Sequence, residues 1–319
     1  MNNYNEIKVI SQYKSICLIG HINPDADALA SMKVLKDFLC DYFKIENISL
    51  FADCEKIPTN CNEIIDNDTI NQPTKKEFDV AIMIDSPNTQ RLGKYKNLFE
   101  KAKCKIVIDH HQTNLFDGDV NIVEEQSSTC EIVYSIIKFF KYVLNKKNKS
   151  NIYAGIITDT NNFTVGNFNQ ITFKIMSEII DDIDHEHIYN NFFSNNSLKN
   201  MQILAKSINN IKTYYDNKIL ISHISLKEAE DFNITNDDYL GIINRLSTIT
   251  NSLLICFIYP KDKQYYVSMR AKQNLKVSQL AKENGGGGHD GAAAFLSDKT
   301  IEEIECEILE EFTKILNQI

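Results

Sequence analysis

The sequence is poor in the features that mark several classes of protein. It has no tryptophan, and no apolar run approaches the roughly 20 residues that a membrane-spanning helix needs. Its first segment, MNNYNEIKVISQYKS, lacks the basic region and apolar core of a signal peptide. We therefore expect a cytoplasmic protein with no membrane segment.

Paired cysteines are also missing. Eight cysteines are scattered along the 319 residues, and none forms a C-x-x-C pair of the kind found in zinc sites and redox motifs. Several lie inside apolar runs, such as Cys17 in SICLI and Cys256 in LICFI. We expect buried, reduced thiols, which are usual for cytosolic proteins.

Positive charge is in deficit. Lys and Arg number 34 against 43 Asp and Glu, which gives a net charge of -9. Affinity for long duplexes comes from many Lys and Arg contacts to phosphates, so a long duplex is a poor fit as a partner. A short phosphorylated ligand can still bind where metals and a few basic side chains concentrate positive charge.

The order of apolar runs indicates an α/β fold. Short runs of buried-strand type occupy residues 15–20, 48–51, 80–84 and 105–108. Apolar residues have helical spacing over residues 28–43 and 128–144, and the second segment opens with the S-x-x-E pattern of a capping box. Strands that alternate with helices predict a mostly parallel sheet with helices on both faces.

The second half has a different pattern. Residues 170–212 have helical spacing without clear strands. The elements predicted after them are a strand at 218–222, a helix at 239–246, a hairpin of 252–259 with 264–269, and helices at 277–282 and 300–316. We predict a first domain over residues 1–190, a helical connector over 191–214 and a smaller α/β domain over 215–319.

Acidic and imidazole side chains in the first half form four groups, each directly after an apolar run. The groups are His21, Asp25 and Asp27; Asp85; Asp109, His110 and His111; and Asp159. Ligands bind outside the carboxyl ends of the strands in open α/β sheets, and the first three groups follow predicted strands. The segment before Asp159 fits a helix as well as a strand.

Each group alone has a structural explanation. Asp25 or Asp27 can cap a helix, and Asp85 and Asp159 can serve in a turn or loop. Their joint occurrence favours a metal site, because carboxylates that converge at one sheet edge repel each other unless cations lie between them. Mixed carboxylate and imidazole ligands suit Mn, Fe, Co or Zn better than Mg or Ca. Two such ions about 3.5–4 Å apart can hold a hydroxide for attack on phosphorus.

These motifs resemble those of the DHH phosphoesterase superfamily, in its subgroup with a DHHA1 C-terminal domain. The matching segments are His21-x-x-Pro24-Asp25-x-Asp27-x-Leu29-x-Ser31, Asp85, Asp109-His110-His111, Asp159 and Gly285-Gly-Gly-Gly288-His289-x-x-Ala292-Ala293. The resemblance covers nearly the whole chain and is strongest to the bacterial bifunctional oligoribonuclease (nanoRNase)/pAp phosphatase group. It implies an N-terminal parallel-sheet DHH domain, a helical connector, a smaller C-terminal α/β DHHA1 domain and an active site in the interdomain cleft.

The resemblance also implies two divalent ions, with manganese favoured. The residues that would hold the first ion are His21, Asp25 and Asp85. The residues that would hold the second ion are Asp27, Asp85, His110 and Asp159, so that Asp85 bridges the two. His111 would face the scissile phosphate, and Asp109 would orient a histidine from behind.

Substrate contacts are implied mainly for the second domain. The candidates are Arg270, His289, Gly286, Gly287 and Gly288, together with Arg91 of the first domain. A glycine run lets backbone N–H groups approach a phosphate closely. The segment Ser268-Met269-Arg270-Ala271 departs from the family's Ser-x-Arg-Ser, and Ala294 replaces the usual glycine after Ala292-Ala293.

The function implied is metal-dependent hydrolysis of short nucleotide phosphoesters by a hydroxide that two metals activate. The expected substrates and partners are short oligoribonucleotides (nano-RNA), pApA and the 3'-phosphate of pAp. The alternatives are a cyclic-di-AMP phosphodiesterase, an inorganic pyrophosphatase or polyphosphatase, and a non-catalytic nucleotide-binding protein. The sequence is also compatible with a homodimer.

Overall fold

A computed structural model describes residues 4–65, 70–72, 77–164, 166–194, 197–239, 241–273 and 275–317, except the side chains of Asn236, Asp237 and His289. The chain forms two compact units, Met1–Asn195 and Asn196–Ile319. Both units combine helices with a sheet, which confirms the α/β class. Within the described residues, no helix is both long enough and apolar enough to span a membrane.

The first unit is built on a parallel sheet of five strands in the order β2-β1-β3-β4-β5. The strands are β1 (Ile16–Ile19), β2 (Ile48–Phe51), β3 (Val80–Ile84), β4 (Cys104–Asp109) and β5 (Val120–Val123). The four predicted apolar runs are all strands. The fifth strand was not predicted, because it is a short edge strand in which only Ile122 is buried.

Helices cover both faces of this sheet, as predicted. They are α1 (Ala26–Phe43), α2 (Lys96–Lys101), α3 (Thr129–Phe139), α4 (Lys146–Asp159), α5 (Gln170–Ile179) and α6 (His185–Tyr189). Side chains of α1, α3 and α4 pack on the face that carries Ile16 and Leu18. The opposite face carries Cys17 and Ile19, and it is covered by α2 and a 3-10 segment, Thr89–Tyr95.

The helix predicted over residues 128–144 is shorter than expected. Ser128 caps α3, with its side chain accepting from the N–H of Glu131, but the helix ends at Phe139. Lys141 adopts a left-handed backbone conformation, φ 56°, which a right-handed helix cannot continue through. The segment Ile152–Ile157, whose sequence fits a strand as well as a helix, is part of α4, so Asp159 is the last residue of a helix.

The second unit contains a six-stranded sheet in the order β10-β11-β9-β8-β7-β6, in which only β7 and β8 are parallel. Its strands are β6 (Lys212–Tyr214), β7 (Ile219–His223), β8 (Leu254–Lys261), β9 (Gln264–Ala271), β10 (Gly287–His289) and β11 (Ala292–Ser297). Its helices are α7 (Leu198–Asn209), α8 (Leu226–Asp231), α9 (Ile242–Leu246), α10 (Ser278–Glu283) and α11 (Ile301–Leu316).

The region predicted as a connector contains α7 and β6. Ile203 and Leu204 of α7 pack in one cluster with Leu220 of β7 and with Phe257 of β8. Helix α7 therefore contributes to the core of the second unit. The predicted hairpin is formed by β8 and β9, which turn at Asp262.

Candidate metal centre

The segments that follow β1 and β3 at the carboxyl edge of the first sheet carry the first two carboxylates of the candidate site. The chain leaves β1 at Ile19, and Asp25 then caps α1 by accepting a hydrogen bond from the N–H of Ala28 at 3.0 Å. Asp85 follows β3 directly and has a left-handed backbone, φ 53°, which is strained for a residue other than glycine. Its N–H donates to the carbonyl of Ile108 at 3.0 Å, which ties this strained residue to β4.

His21 stands between two carboxylates. Its Nε2 lies 3.6 Å from Asp25 Oδ2 and 3.7 Å from Asp85 Oδ2. Its Nδ1 lies 2.9 Å from the carbonyl oxygen of Ile22, an arrangement that places the proton on Nδ1 and leaves Nε2 free to bind a cation. Arg91 Nη2 lies 3.4 Å from the same Nδ1, so this candidate phosphate contact borders the group.

His110 forms a second group. Its Nε2 lies 3.4 Å from Asp159 Oδ2 and 3.5 Å from Asp85 Oδ1. Its Nδ1 is 3.2 Å from the carbonyl oxygen of Gln126, which again favours a proton on Nδ1 and a free Nε2. Donor atoms of Asp27, His110 and Asp159 all lie within 4.8 Å of one another.

Asp85 is shared by the two groups. Its Oδ2 faces His21, and its Oδ1 faces His110. His111 also lies near Oδ1, with its Nδ1 at 3.8 Å. The buried carboxylate of Asp85 thus presents one oxygen to each of two neighbouring clusters of donor atoms.

His111 is oriented by a buried carboxylate. Its Nδ1 donates to Asp109 Oδ1 at 2.7 Å, and Asp109 is fully buried, whereas the His111 side chain is 40 % exposed. Burial lowers the pKa of His111, but the hydrogen bond to Asp109 and the charge of Asp85 outweigh it and raise that pKa to about 9. Because Nδ1 is occupied by Asp109, Nε2 is the ring nitrogen available to a ligand.

The pKa values of two carboxylates in the second group, Asp27 and Asp159, are strongly raised. Burial and the neighbouring charges of Asp85 and Asp159 raise the pKa of Asp27 well above its ordinary value. Burial and the charges of Asp85 and Asp25 raise the pKa of Asp159 to about 8. Such shifts measure how unfavourable these charges are when packed together, and cations would relieve that cost.

The donor set fits divalent cations. Donor atoms of His21, Asp25 and Asp85 lie within 4.8 Å of one another, as do those of Asp27, His110 and Asp159. The mixture of imidazole nitrogen and carboxylate oxygen suits Mn, Fe, Co or Zn. A third overlapping set, Asp85 with His110 and His111, is equally close, but the Nδ1 of His111 already donates to Asp109.

Two residues near the site had no signal in the sequence. Asn114 is buried, and its Nδ2 donates to Asp109 Oδ2 at 2.6 Å. Thr129, the first residue of α3, donates from its hydroxyl to Asp85 Oδ1 at 2.9 Å. Thr129 bonds to a residue 44 positions away, and Asn114 bonds to Asp109, five positions away, and to the carbonyl oxygen of Ser86, 28 positions away. Local sequence patterns do not reveal such contacts.

The residues predicted to bind substrate in the second unit lie on β9 and β10 or directly before β10. Arg270 of β9 is half-buried and donates from Nε and Nη2 to Asn244 Oδ1, at 3.2 and 2.9 Å. Burial lowers its pKa. The backbone of Arg270 pairs with Ala292 of β11, which also pairs with His289 of β10. The side chain of His289 falls outside the described part of the structure.

The glycine run has a structural role of its own. A Cβ at Gly286 would lie 2.1 Å from the carbonyl oxygen of Ala294, and one at Gly288 would lie 2.4 Å from that of Ala292. Gly288 also has φ 138°, which only glycine adopts readily. The close approach to β11 therefore requires glycine at 286 and 288, whether or not an anion binds there.

Comparison with known proteins identifies the class. Residues 15–159 match the DHH family, N-terminal domain, and residues 216–319 match the DHHA1 domain. The chain belongs to the DHH/DHHA1 family of phosphoesterases and is a hydrolase, which confirms the membership predicted from the motifs.

Two relatives of known or assigned activity are similar to this chain along most of its length. The chain is 27 % identical over 314 residues to the bifunctional oligoribonuclease and PAP phosphatase NrnA of Bacillus subtilis, covering 92 % of this chain and 93 % of that protein. It is 26 % identical to the probable bifunctional oligoribonuclease and PAP phosphatase NrnA of Streptococcus mutans, covering 88 % of each. An exopolyphosphatase-related protein from Bacteroides fragilis has the same fold, with a TM-score of 0.85 at 23 % identity, over 99 % of this chain and 95 % of that one.

Proposed function

We propose that this phosphoesterase hydrolyses short nucleotide phosphoesters with the help of two divalent cations. The substrates proposed are nano-RNA of a few nucleotides, pApA and the 3'-phosphate of pAp. The observation that carries the proposal is the position of Asp85, whose two oxygens face the separate donor groups around His21 and His110. The names of the relatives that match along most of the chain support the substrate class.

The two donor groups give each cation a set of protein ligands. The proposed ligands of the first are His21, Asp25 and Asp85. The proposed ligands of the second are Asp27, Asp85, His110 and Asp159. Manganese is the favoured metal, because carboxylates and imidazoles together suit it better than they suit Mg. Two bound ions would lower the pKa of a water molecule toward neutrality and offset negative charge on the phosphate.

The other residues bind and orient the phosphoester. His111, held at Nδ1 by Asp109, would donate from Nε2 to a phosphate oxygen or to the leaving group as charge develops there. Arg91, beside His21, would contact a non-reacting phosphate oxygen. In the second unit, Arg270 with Gly286–Gly288 and His289 would bind a further phosphate of the ligand.

A panel assay tests the proposal. The protein, supplemented with Mn²⁺, is incubated with pAp, pApA, short RNA, cyclic di-AMP, pyrophosphate and polyphosphate, and the products are separated by chromatography. We expect turnover of the first three substrates and its loss in Asp85→Ala and His110→Ala with the fold intact. Preferred hydrolysis of cyclic di-AMP, pyrophosphate or polyphosphate would overturn the substrate class. Full activity in either variant would overturn the metal assignment.

A further inference from the structure

The N-terminus of α3 donates hydrogen bonds to two of the carboxylates in the proposed metal centre. The backbone N–H of Thr129 donates to Asp27 Oδ2 at 2.7 Å, and that of Cys130 donates to Asp27 Oδ1 at 2.9 Å. The hydroxyl of Thr129 donates to Asp85 Oδ1 at 2.9 Å. One turn of helix therefore makes three hydrogen bonds to two carboxylates that come from α1 and from the end of β3.

These hydrogen bonds are shielded from water. Thr129 is fully buried, and Asp27 and Asp85 are 1 % and 3 % exposed. Hydrogen bonds to ionised groups are stronger than neutral ones, and burial strengthens them further. Because both oxygens of Asp27 accept an N–H, its carboxylate cannot rotate without breaking a bond.

The Asp85 carboxylate accepts one hydrogen bond from α3, whereas that of Asp27 accepts two. Its Oδ1 accepts from the Thr129 hydroxyl, whereas its Oδ2 faces His21 Nε2 at 3.7 Å. The hydrogen bond from the Thr129 hydroxyl therefore restrains rotation of the Asp85 carboxylate and keeps one oxygen toward His110 and the other toward His21. A carboxylate that serves two cations at once depends on this orientation more than one that serves a single cation.

We propose that Thr129 is a positioning residue for cation binding, and that its hydroxyl orients the Asp85 carboxylate between the two donor groups. The inference rests on the proposed function, because it concerns the affinity of that same centre for divalent ions. Partners that orient metal ligands typically affect affinity by about 10- to 100-fold when they are removed.

The hydroxyl has no role in starting the helix. Ser128 is the N-cap, and its side chain accepts from the N–H of Glu131 at 3.3 Å. Thr129 is the next residue, and its side chain bonds to a residue 44 positions away. Replacing the hydroxyl by a methyl group should therefore leave α3 intact.

The test is Mn²⁺ binding, measured by isothermal titration on folded, chelator-treated protein. Thr129→Val keeps the shape and removes the hydroxyl, whereas Thr129→Ser keeps the hydroxyl. We expect Thr129→Val to bind Mn²⁺ about 10-fold or more weakly and Thr129→Ser to stay within about threefold of the wild type. Saturating Mn²⁺ should restore most of the kcat of Thr129→Val. Near-ultraviolet circular dichroism reports whether each variant is folded, and Thr129→Ala replaces Thr129→Val if the latter is not.

Thr313→Val is the matched control. The Thr313 hydroxyl donates to the carbonyl of Leu309 within α11, so this variant loses a threonine hydroxyl in the second unit and should bind Mn²⁺ as the wild type does. Equal affinity in Thr129→Val and the wild type would overturn the inference, as would equal losses in Thr129→Val and Thr129→Ser. A wild-type protein that binds Mn²⁺ without hydrolysing any substrate would contradict the proposed function, and the comparison of variants would still stand.

Discussion

Asn114 and Asp109 are joined by a short buried hydrogen bond, 2.6 Å from Nδ2 to Oδ2. The same Nδ2 lies 3.2 Å from the carbonyl oxygen of Ser86, and Asn114 Oδ1 accepts from the N–H of Phe116 at 2.7 Å. The other carboxylate oxygen of Asp109, Oδ1, accepts a hydrogen bond from His111 Nδ1. Asn114 thus connects the loops after β3 and β4 to the histidine proposed to face the phosphate.

The first prediction concerns this connection. Asn114→Ala should lower kcat by about 10- to 100-fold with little change in KM, because small displacements of a reacting group carry penalties of this size. Steady-state kinetics at saturating Mn²⁺ measure both constants. Among the described residues, the Asn121 side chain has hydrogen bonds with Gly118 alone, so Asn121→Ala should keep kcat within about twofold of the wild type. A large change in KM with unchanged kcat would contradict this role for Asn114.

The second prediction concerns the contact between α3, α4 and Asp27. A Cβ at Gly155 would lie 2.3 Å from Cys130 Sγ and 2.8 Å from Asp27 Oδ1. Gly155→Ala should therefore destabilise the fold by about 1–3 kcal/mol and weaken Mn²⁺ binding, since the added methyl group displaces Asp27. Denaturant unfolding and Mn²⁺ titration measure the two effects.

Cys130→Ala offers a way to show that the clash is the cause. It removes the sulfur nearest to the added methyl group, so Gly155→Ala should cost less stability in that background. Gly291→Ala is the control, because its added Cβ would have only an ordinary contact at 3.5 Å, with the carbonyl oxygen of Ala271. Additive effects of Gly155→Ala and Cys130→Ala would show that the two sites are independent.

The sequence predicted the convergence of donor groups because the carboxyl ends of parallel strands share one edge of a sheet. His21, Asp85 and His110 come together for that reason. Asp159 reaches the same place from the end of α4, and its neighbour Gly155 shows that close helix packing brings it there. Apolar runs carry no information about such packing, so a strand and a helix before Asp159 could not be distinguished.

Other features depended on conformations or contacts that a sequence pattern does not contain. Lys141 ends the helical segment through a left-handed backbone, although the apolar spacing continues to Leu144. Strands β5 and β6 are short and partly exposed, so they lack the continuous apolar run that marks a buried strand. Thr129 bonds to Asp85, which is far away in the chain, and Asn114 bonds to Asp109 through the turn that follows β4. Residue type alone gives no indication of either contact.

The third prediction separates binding from chemistry. Arg270→Ala should raise KM for a substrate with two phosphates by about 10-fold or more, because a hydrogen bond to a charged group contributes about 1.5–3 kcal/mol. Its kcat should change little, since the proposed contact is to a phosphate that does not react. Arg245→Ala is the matched control; its guanidinium contacts Met201 Sδ, and KM should stay within about twofold. A large loss of kcat with unchanged KM would contradict the assigned role of Arg270.

The last prediction concerns the protein stripped of metal. The pKa of Asp159 is raised to about 8 in the folded protein, and that of His111 to about 9. Both groups therefore bind a proton more tightly when folded than when unfolded, where ordinary values are about 3.9 and 6.5. Unfolding then releases protons in this range, so the free energy of unfolding should rise as the pH falls from about 8.5 to about 6.

Thermal unfolding of the chelator-treated protein measures this dependence. Asp159→Asn should flatten it, because the asparagine has no proton to lose, whereas Asp216→Asn in an exposed turn should keep the wild-type slope. Saturating Mn²⁺ should reverse the trend, since bound cations need deprotonated ligands and their stabilisation is lost in acid. If the melting temperature of the metal-free protein instead decreased as the pH was lowered from about 8.5 to about 6, these carboxylates would not repel each other as the structure indicates.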